Sequence, residues 1–260
     1  MIRSNMNYYF KPLPILVALL MMGSPLAAEP AASPWAETDQ TSVRLISAAN
    51  AVGSARELSF GLHFTMRPGW KIYWRSPGDA GYPPTLDWTG SDNLKSASLR
   101  WPLPHRFAIL GLQSIGYKDE VVLPMKVVPE NPGQPVRLRA LVDFLTCSDI
   151  CVPMRLNVAM DLPAGSADPS EFARLINRYS VQVPGDGSGS GVRLEKAEVI
   201  GGGKDYFVRI TATADLPFEA PDLFVEGPNV LVFDKPSVRF SNASPKGSSG
   251  RCAGRWRSRL

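Results

Sequence analysis

Two alternating stretches, residues 136–144 and 156–162, constrain the fold of this chain more than any other feature. Val136, Leu138, Ala140, Val142 and Phe144 are apolar at every second position, and Leu156, Val158, Met160 and Leu162 repeat the pattern. A period of two marks a strand with one buried face. Between the two runs lies Leu145-Thr146-Cys147-Ser148-Asp149-Ile150-Cys151-Val152-Pro153. Strand, short loop and strand read as an antiparallel hairpin with Cys147 and Cys151 near its tip.

The rest of the chain extends that reading. Leu58, Phe60, Leu62, Phe64 and Met66 alternate with Ser59, Gly61, His63 and Thr65. Shorter strand candidates fall at 43–48, 70–74, 99–101 and 121–128, with turns such as Ser76-Pro77-Gly78-Asp79 between them. The 24 prolines and 22 glycines suit many short strands joined by turns, so a mainly β sandwich is expected over residues 35–183. One helix is expected at about 169–179. Asp168 is placed to cap it, Pro169 suits its first position, and Phe172, Leu175, Ile176 and Tyr179 recur at helical spacing. Residues 184–191, Pro-Gly-Asp-Gly-Ser-Gly-Ser-Gly, read as a flexible linker. Strand patterns resume over 192–243, a segment short for a complete second β domain. Residues 244–260, rich in Ser, Gly and Arg, read as a basic disordered tail or as a reading frame that has left the coding sequence of a longer protein.

Charge and the N-terminus bound the setting. The formal charge of +4 comes from the ends: Arg3, Lys11, Lys246, Arg251, Arg255, Arg257 and Arg259 lie outside residues 29–243, and that body carries a net −3. A basic nucleic-acid surface is therefore not expected. Residues 1–28 have the parts of a cleaved secretory signal: Arg3 and Lys11, an apolar run from Leu13 to Met22, then small residues ending at Ala28. That run is too short to span a bilayer and no later segment approaches the length, so export to an oxidising compartment, where disulfides persist, is expected.

Four residues of extended chain would hold Cys147 and Cys151 roughly 13 Å apart, against ~4.4–6.8 Å in a disulfide, so a bond requires the chain to turn between them. Such a bond closes a loop of about five residues and stabilises by roughly 2 kcal/mol, against ~4.7 kcal/mol for a loop of about a hundred. A local, loop-borne pair suits thiol–disulfide exchange, which needs access to a sulfur. A structural disulfide and metal ligation stay open on spacing alone. Met154 and Met160 would supply soft ligands for copper, but Met160 falls on the apolar face, and neither His63 nor His105 has ligand spacing to the cysteines. No cofactor-binding, P-loop, HExxH or nucleophile-elbow motif occurs. Trp70, Tyr73, Trp74, Tyr82, Trp88 and Trp101 offer a second class of function, a peptide- or sugar-binding face, although Trp70, Ile72 and Trp74 share one side of a strand and read as core.

Gly69-Trp70-Lys71-Ile72-Tyr73-Trp74-Arg75-Ser76-Pro77-Gly78-Asp79-Ala80-Gly81 resembles the GWxxYWxxPGDxG signature of the periplasmic region of DsbD-type protein-disulfide reductases. Trp101-Pro102-Leu103-Pro104, Ile115-Gly116-Tyr117 and the cysteine segment follow in family order. The main DsbD branch has a longer loop between its cysteines; the three-residue spacing here resembles the branch of suppressor of copper sensitivity protein B. The resemblance implies an immunoglobulin-like domain that relays electrons through Cys147 and Cys151 to thioredoxin-like periplasmic proteins, with Cys151 as exchanging nucleophile and Cys147 as resolving partner. It also implies a cap loop over the sulfurs. Residues 105–111 occupy the comparable place, with Phe107 as the first shielding candidate and Tyr117 as the second. The transmembrane electron-donor domain and the thioredoxin-like domain of such proteins have no counterpart here, so a truncated chain that receives electrons only in trans is the expectation. The alternative is a non-catalytic sandwich that binds peptide, sugar or copper and holds a structural disulfide.

Overall fold

The computed structural model describes residues 31–260 except 110, 203–204, 219–221, 227–231, 242–249 and 260. The expected signal segment lies outside the described residues. In chain order the elements are β1 (Ala36–Glu37), β2 (Thr41–Ser47), β3 (Leu58–Met66), β4 (Lys71–Gly78), β5 (Thr85–Asp87), β6 (Ser96–Leu99), β7 (His105–Ile109), β8 (Leu112–Lys118), β9 (Glu120–Val128), β10 (Val136–Cys147) and β11 (Cys151–Leu162). Helix α1 (Ala173–Ser180) follows, then β12 (Val192–Gly202), β13 (Asp205–Ala214), β14 (Val232–Phe233), β15 (Ser237–Ser241) and β16 (Gly250–Arg259).

The first eleven strands form two sheets. One runs β1-β2-β3-β9-β6 and the other β11-β10-β4-β8-β7, with β5 also paired to β10. Their facing sides supply one core: Val43, Leu45, Phe60, Leu62, Phe64, Leu123 and Met125 from the first sheet meet Ile72, Trp74, Leu138, Val142 and Phe144 from the second. Phe64 and Phe144 touch edge to face across it, with ring centroids 5.2 Å apart. The alternating residues of the sequence are the inward ones, and the expected β-sandwich, immunoglobulin-like in its two packed sheets, is what they build.

Helix α1 covers the outer face of the first sheet, setting Ile176 against Ala32, Ile46 and Val122, with Phe172, Leu175 and Tyr179 around them. It begins four residues later than Pro169, and Asp168 does not cap it. Residues 168–170 are used otherwise: Ala49 and Pro169 form a β-bridge, the Asn50 amide donates to the Asp168 carbonyl, and the Ser170 amide donates to the Ala48 carbonyl. The chain turns into the helix only after that, with the Ser170 hydroxyl accepting from the Phe172 amide at 3.1 Å.

A third sheet, β12-β13-β16-β14 with β15 on β16, follows the Gly/Ser segment. Residues 250–259, expected to belong to a disordered tail, are strand β16, paired with β13 from Tyr206↔Ser258 to Ala214↔Gly250. Once β12 occupies one side of β13, the other side presents a free row of backbone donors and acceptors. Backbone pairing needs no apolar periodicity, which is why the residue pattern did not announce it. No helix among the described residues is long and apolar enough to cross a membrane.

Within the second sheet, β8 can lie against β4 only because residue 116 lacks a side chain. A Cβ on Gly116 would sit 2.0 Å from the Ile72 carbonyl oxygen. Gly116→Ala is expected to cost about 3 kcal/mol and to lower the melting temperature by roughly 5–10 °C. Gly185→Ala, where an added Cβ meets nothing within 4 Å, should leave it unchanged. Calorimetry of the two variants checks the contrast.

Candidate functional site

The β10–β11 ladder runs without interruption from Val136↔Leu162 to Cys147↔Cys151. The two cysteines therefore stand opposite each other at its last rung, and they form a disulfide with S–S 2.08 Å and Cα atoms 4.1 Å apart. Ser148, Asp149 and Ile150 close the tip, the Ser148 amide donating to the Ile150 carbonyl at 2.9 Å. The two sulfur-bearing residues differ sharply in environment. Cys147 is fully buried, whereas Cys151 is exposed and Ile150 beside it is 62% exposed.

The burial of Cys147 comes from β4, which pairs with the end of β10 through Thr146↔Ile72 and Cys147↔Lys71. Alternation along β4 sends Ile72 and Trp74 into the sandwich core and turns Tyr73 to the opposite face. There Tyr73, 1% exposed, packs with Ile109 and Cys147, and Phe107 and Leu145 pack against that group. The Tyr73 hydroxyl donates to Cys147 Sγ at 3.1 Å and lies 3.9 Å from Cys151 Sγ. Burial pushes this hydroxyl above its ordinary pKa, so it remains a proton donor over the physiological range.

The residues after β4 hold the tyrosine in place. Asp79 clips onto β8 through two contacts: its amide donates to the Gln113 carbonyl and its carboxylate accepts from the Gln113 amide, both at 2.8 Å. Gly81, at φ +98°, then lies on the Tyr73 ring so closely that a Cβ there would come within 2.4 Å of it. The Pro-Gly-Asp-x-Gly part of the sequence signature is thus a bracket for a side chain that touches the disulfide.

Thr146 secures the other direction. Its hydroxyl lies 2.8 Å from the Thr41 hydroxyl of the opposite sheet and donates to the Lys71 carbonyl at 3.2 Å, both threonines being buried. The Cys147 end of β10 is thereby tied to β2 and β4 at once.

Residues 105–111, expected as a cap loop, include β7, the edge strand of the second sheet, in a hairpin with β8. Phe107 reaches the Tyr73–Cys147 group from that strand, and Lys71 Nζ lies 5.5 Å from the centroid of its ring. Tyr117 does not join it. Paired with Ile72, it faces the sandwich core, with its hydroxyl donating to the Pro102 carbonyl at 2.8 Å. Trp70, Trp74, Trp88 and Trp101 also belong to or pack against the core, leaving Tyr82 as the exposed member of the aromatic set. His63 is buried against Glu120 with Nε2–Oε1 2.9 Å, in the first sheet and away from the cysteines. Among the described residues no three His, Cys, Asp or Glu side chains gather as a metal site.

Sequence reasoning missed Tyr73 as a site residue, placing it only in the aromatic set of a possible peptide- or sugar-binding face. The signal available was that β4 is apolar on both faces: a strand carrying Ile72, Tyr73 and Trp74 in succession must bury something on its second side. Tyr73→Phe removes the donor to Cys147 Sγ. The reduced Cys147 thiol should then be harder to ionise and its alkylation should move to higher pH, because a hydrogen bond that favours the thiolate form is lost. The pH profile of Cys147 alkylation in a Cys151→Ser background measures the shift.

Residues 42–162 match the family described as thiol:disulfide interchange protein DsbD, N-terminal, and residues 182–245 match a domain of unknown function (DUF8393). No curated protein matches the chain. Among solved structures, the N-terminal periplasmic domain of ScsB from Proteus mirabilis superposes with a TM-score of 0.65 over 87% of this chain and 84% of that one, at 20% identity. At that identity the likeness is one of fold, and it extends over both parts of the chain. The cysteine hairpin and the Tyr73 bracket both lie inside the matched segment, and residues 42–162 of this chain are a DsbD-type N-terminal domain.

Proposed function

We propose that this chain works in the periplasm as a thiol–disulfide exchange domain of the ScsB type, passing electrons through Cys147 and Cys151 to thioredoxin-like partner proteins. The observation that carries the reading is the asymmetry of the pair: one sulfur-bearing residue exposed at a hairpin tip, the other buried under a tyrosine hydroxyl. The three-residue loop between the cysteines supports the copper-suppressor branch over the main one, and with it a role in copper tolerance.

In the reduced domain the Cys151 thiolate attacks one sulfur of a partner disulfide. A mixed disulfide forms and the partner's other sulfur leaves as a thiolate. Cys147 then attacks Cys151 Sγ, the second partner sulfur departs, and the intramolecular bond is restored. Two electrons and two protons have moved to the partner. Tyr73, donating to Cys147 Sγ, favours the thiolate needed for the second attack. A thiol donor, supplied in trans or by a membrane domain of the same system, returns the oxidised pair to the start.

A purely structural disulfide would show no such division of labour. In cells, Cys147→Ser is expected to accumulate mixed disulfides through Cys151, visible on non-reducing gels and mapped by mass spectrometry, while Cys151→Ser accumulates none. The reverse pattern would exchange the roles, and no adduct from either variant would leave the disulfide structural.

A further inference from the structure

The second part of the chain reaches back onto the strands that flank the disulfide. Residues 222–226 lie across β4 and β7 on the core side of the sheet. Arg106 on β7 donates from Nε to the Asp222 carboxylate at 2.8 and 3.1 Å and from Nη2 to the Leu223 carbonyl at 2.7 Å. Its guanidinium stacks 4.6 Å from the Phe224 ring centroid. Phe224 meets Trp74 edge-on at 5.8 Å and packs against the sandwich core. Arg75 donates from Nε to both Glu226 carboxylate oxygens at 2.9–3.0 Å while lying 5.0 Å over Trp74. The Arg106–Asp222 pair is the more sheltered of the two, its side chains 13% and 31% exposed.

Two of the residues held from this side are chain neighbours of ones that meet the site on the other. Trp74 adjoins Tyr73, and Arg106 adjoins Phe107. Alternation makes β4 and β7 two-faced: Trp74 and Arg106 meet residues 222–226, while Tyr73 and Phe107 pack with Cys147. Among the described residues β7 is a terminal strand of its sheet, paired only with β8, so the grip on Arg106 adds an attachment to it. We propose that residues 222–226 act as a strap that positions β7, and that Arg106, Asp222 and Phe224 thereby govern access to Cys147. This rests on the exchange reading for its biological meaning, but its physical content concerns one sulfur.

The test uses the full chain in a Cys151→Ser background and reads alkylation of Cys147 by iodoacetamide at peptide level, which separates it from Cys252. Phe224→Ala and Asp222→Asn should each raise the rate about fivefold or more, the factor that corresponds to a loss of about 1 kcal/mol from the closed state. Phe107→Ala should raise it alike, and adding Phe224→Ala to Phe107→Ala should raise it no further. Hydrogen exchange on the native-cysteine chain supplies a second readout, with protection lost in β7 and kept in β2, β3 and β9. An unchanged alkylation rate, or a rise that persists undiminished in the Phe107→Ala background, would overturn the strap. Neither measurement involves a partner protein, so a failure to trap mixed disulfides would remove the exchange reading and leave the strap standing on its own result.

Discussion

The site depends on the last rungs of β10, where a strand buried on one face becomes buried on two. Up to Phe144 the strand alternates between core and partly exposed positions; at Thr146 and Cys147 both consecutive side chains are enclosed. Thr146 turns inward and is held by Thr41 and the Lys71 carbonyl, so a polar group deep in the sandwich is fully engaged. Cys147 turns outward under Tyr73. Because the threonine fixes the strand in register, the sulfur is delivered to one place, and the tyrosine, its glycine bracket and Phe107 can be arranged around it. A slip of a single residue would exchange the faces and place the thiol in the core.

Much of this was legible before any coordinates, and the reason is periodicity. The hairpin, the sandwich and the apolar face of the helix follow from residues repeating at two or at three to four positions, and side-chain patterns report burial directly. The features that escaped are those without a side-chain pattern. β16 is held by backbone pairing among serines, glycines and arginines. The helix start shifted because a bridge with residues 48–50 claimed the cap region. Tyr73 was visible as an aromatic, but its direction was not, since a strand buried on both faces looks the same from either side. Tyr117, equally aromatic, went to the core for the same reason.

The contacts of residues 222–226 alter what counts as one unit in this molecule. The Gly/Ser segment at 184–191 suggests two independent parts, yet Phe224 sits against the sandwich core and Arg106 is half enclosed by residues that follow the linker. The matched families divide at the same region, 42–162 and 182–245, while the physical packing crosses it.

The shortness of the Ser148-Asp149-Ile150 loop bears on how a partner would be let go. Opening the bond frees very few backbone torsions, since the ladder beneath it runs continuously to the last rung and does not rely on the sulfur link for its register. The oxidised and reduced domains are thus expected to present nearly the same shape. A visiting protein would find no closing jaw that grips before the transfer and slackens after it. Its departure would be timed by the breaking of the mixed disulfide itself, and the contact around Ile150 and Cys151 must be weak enough that nothing else holds the two together.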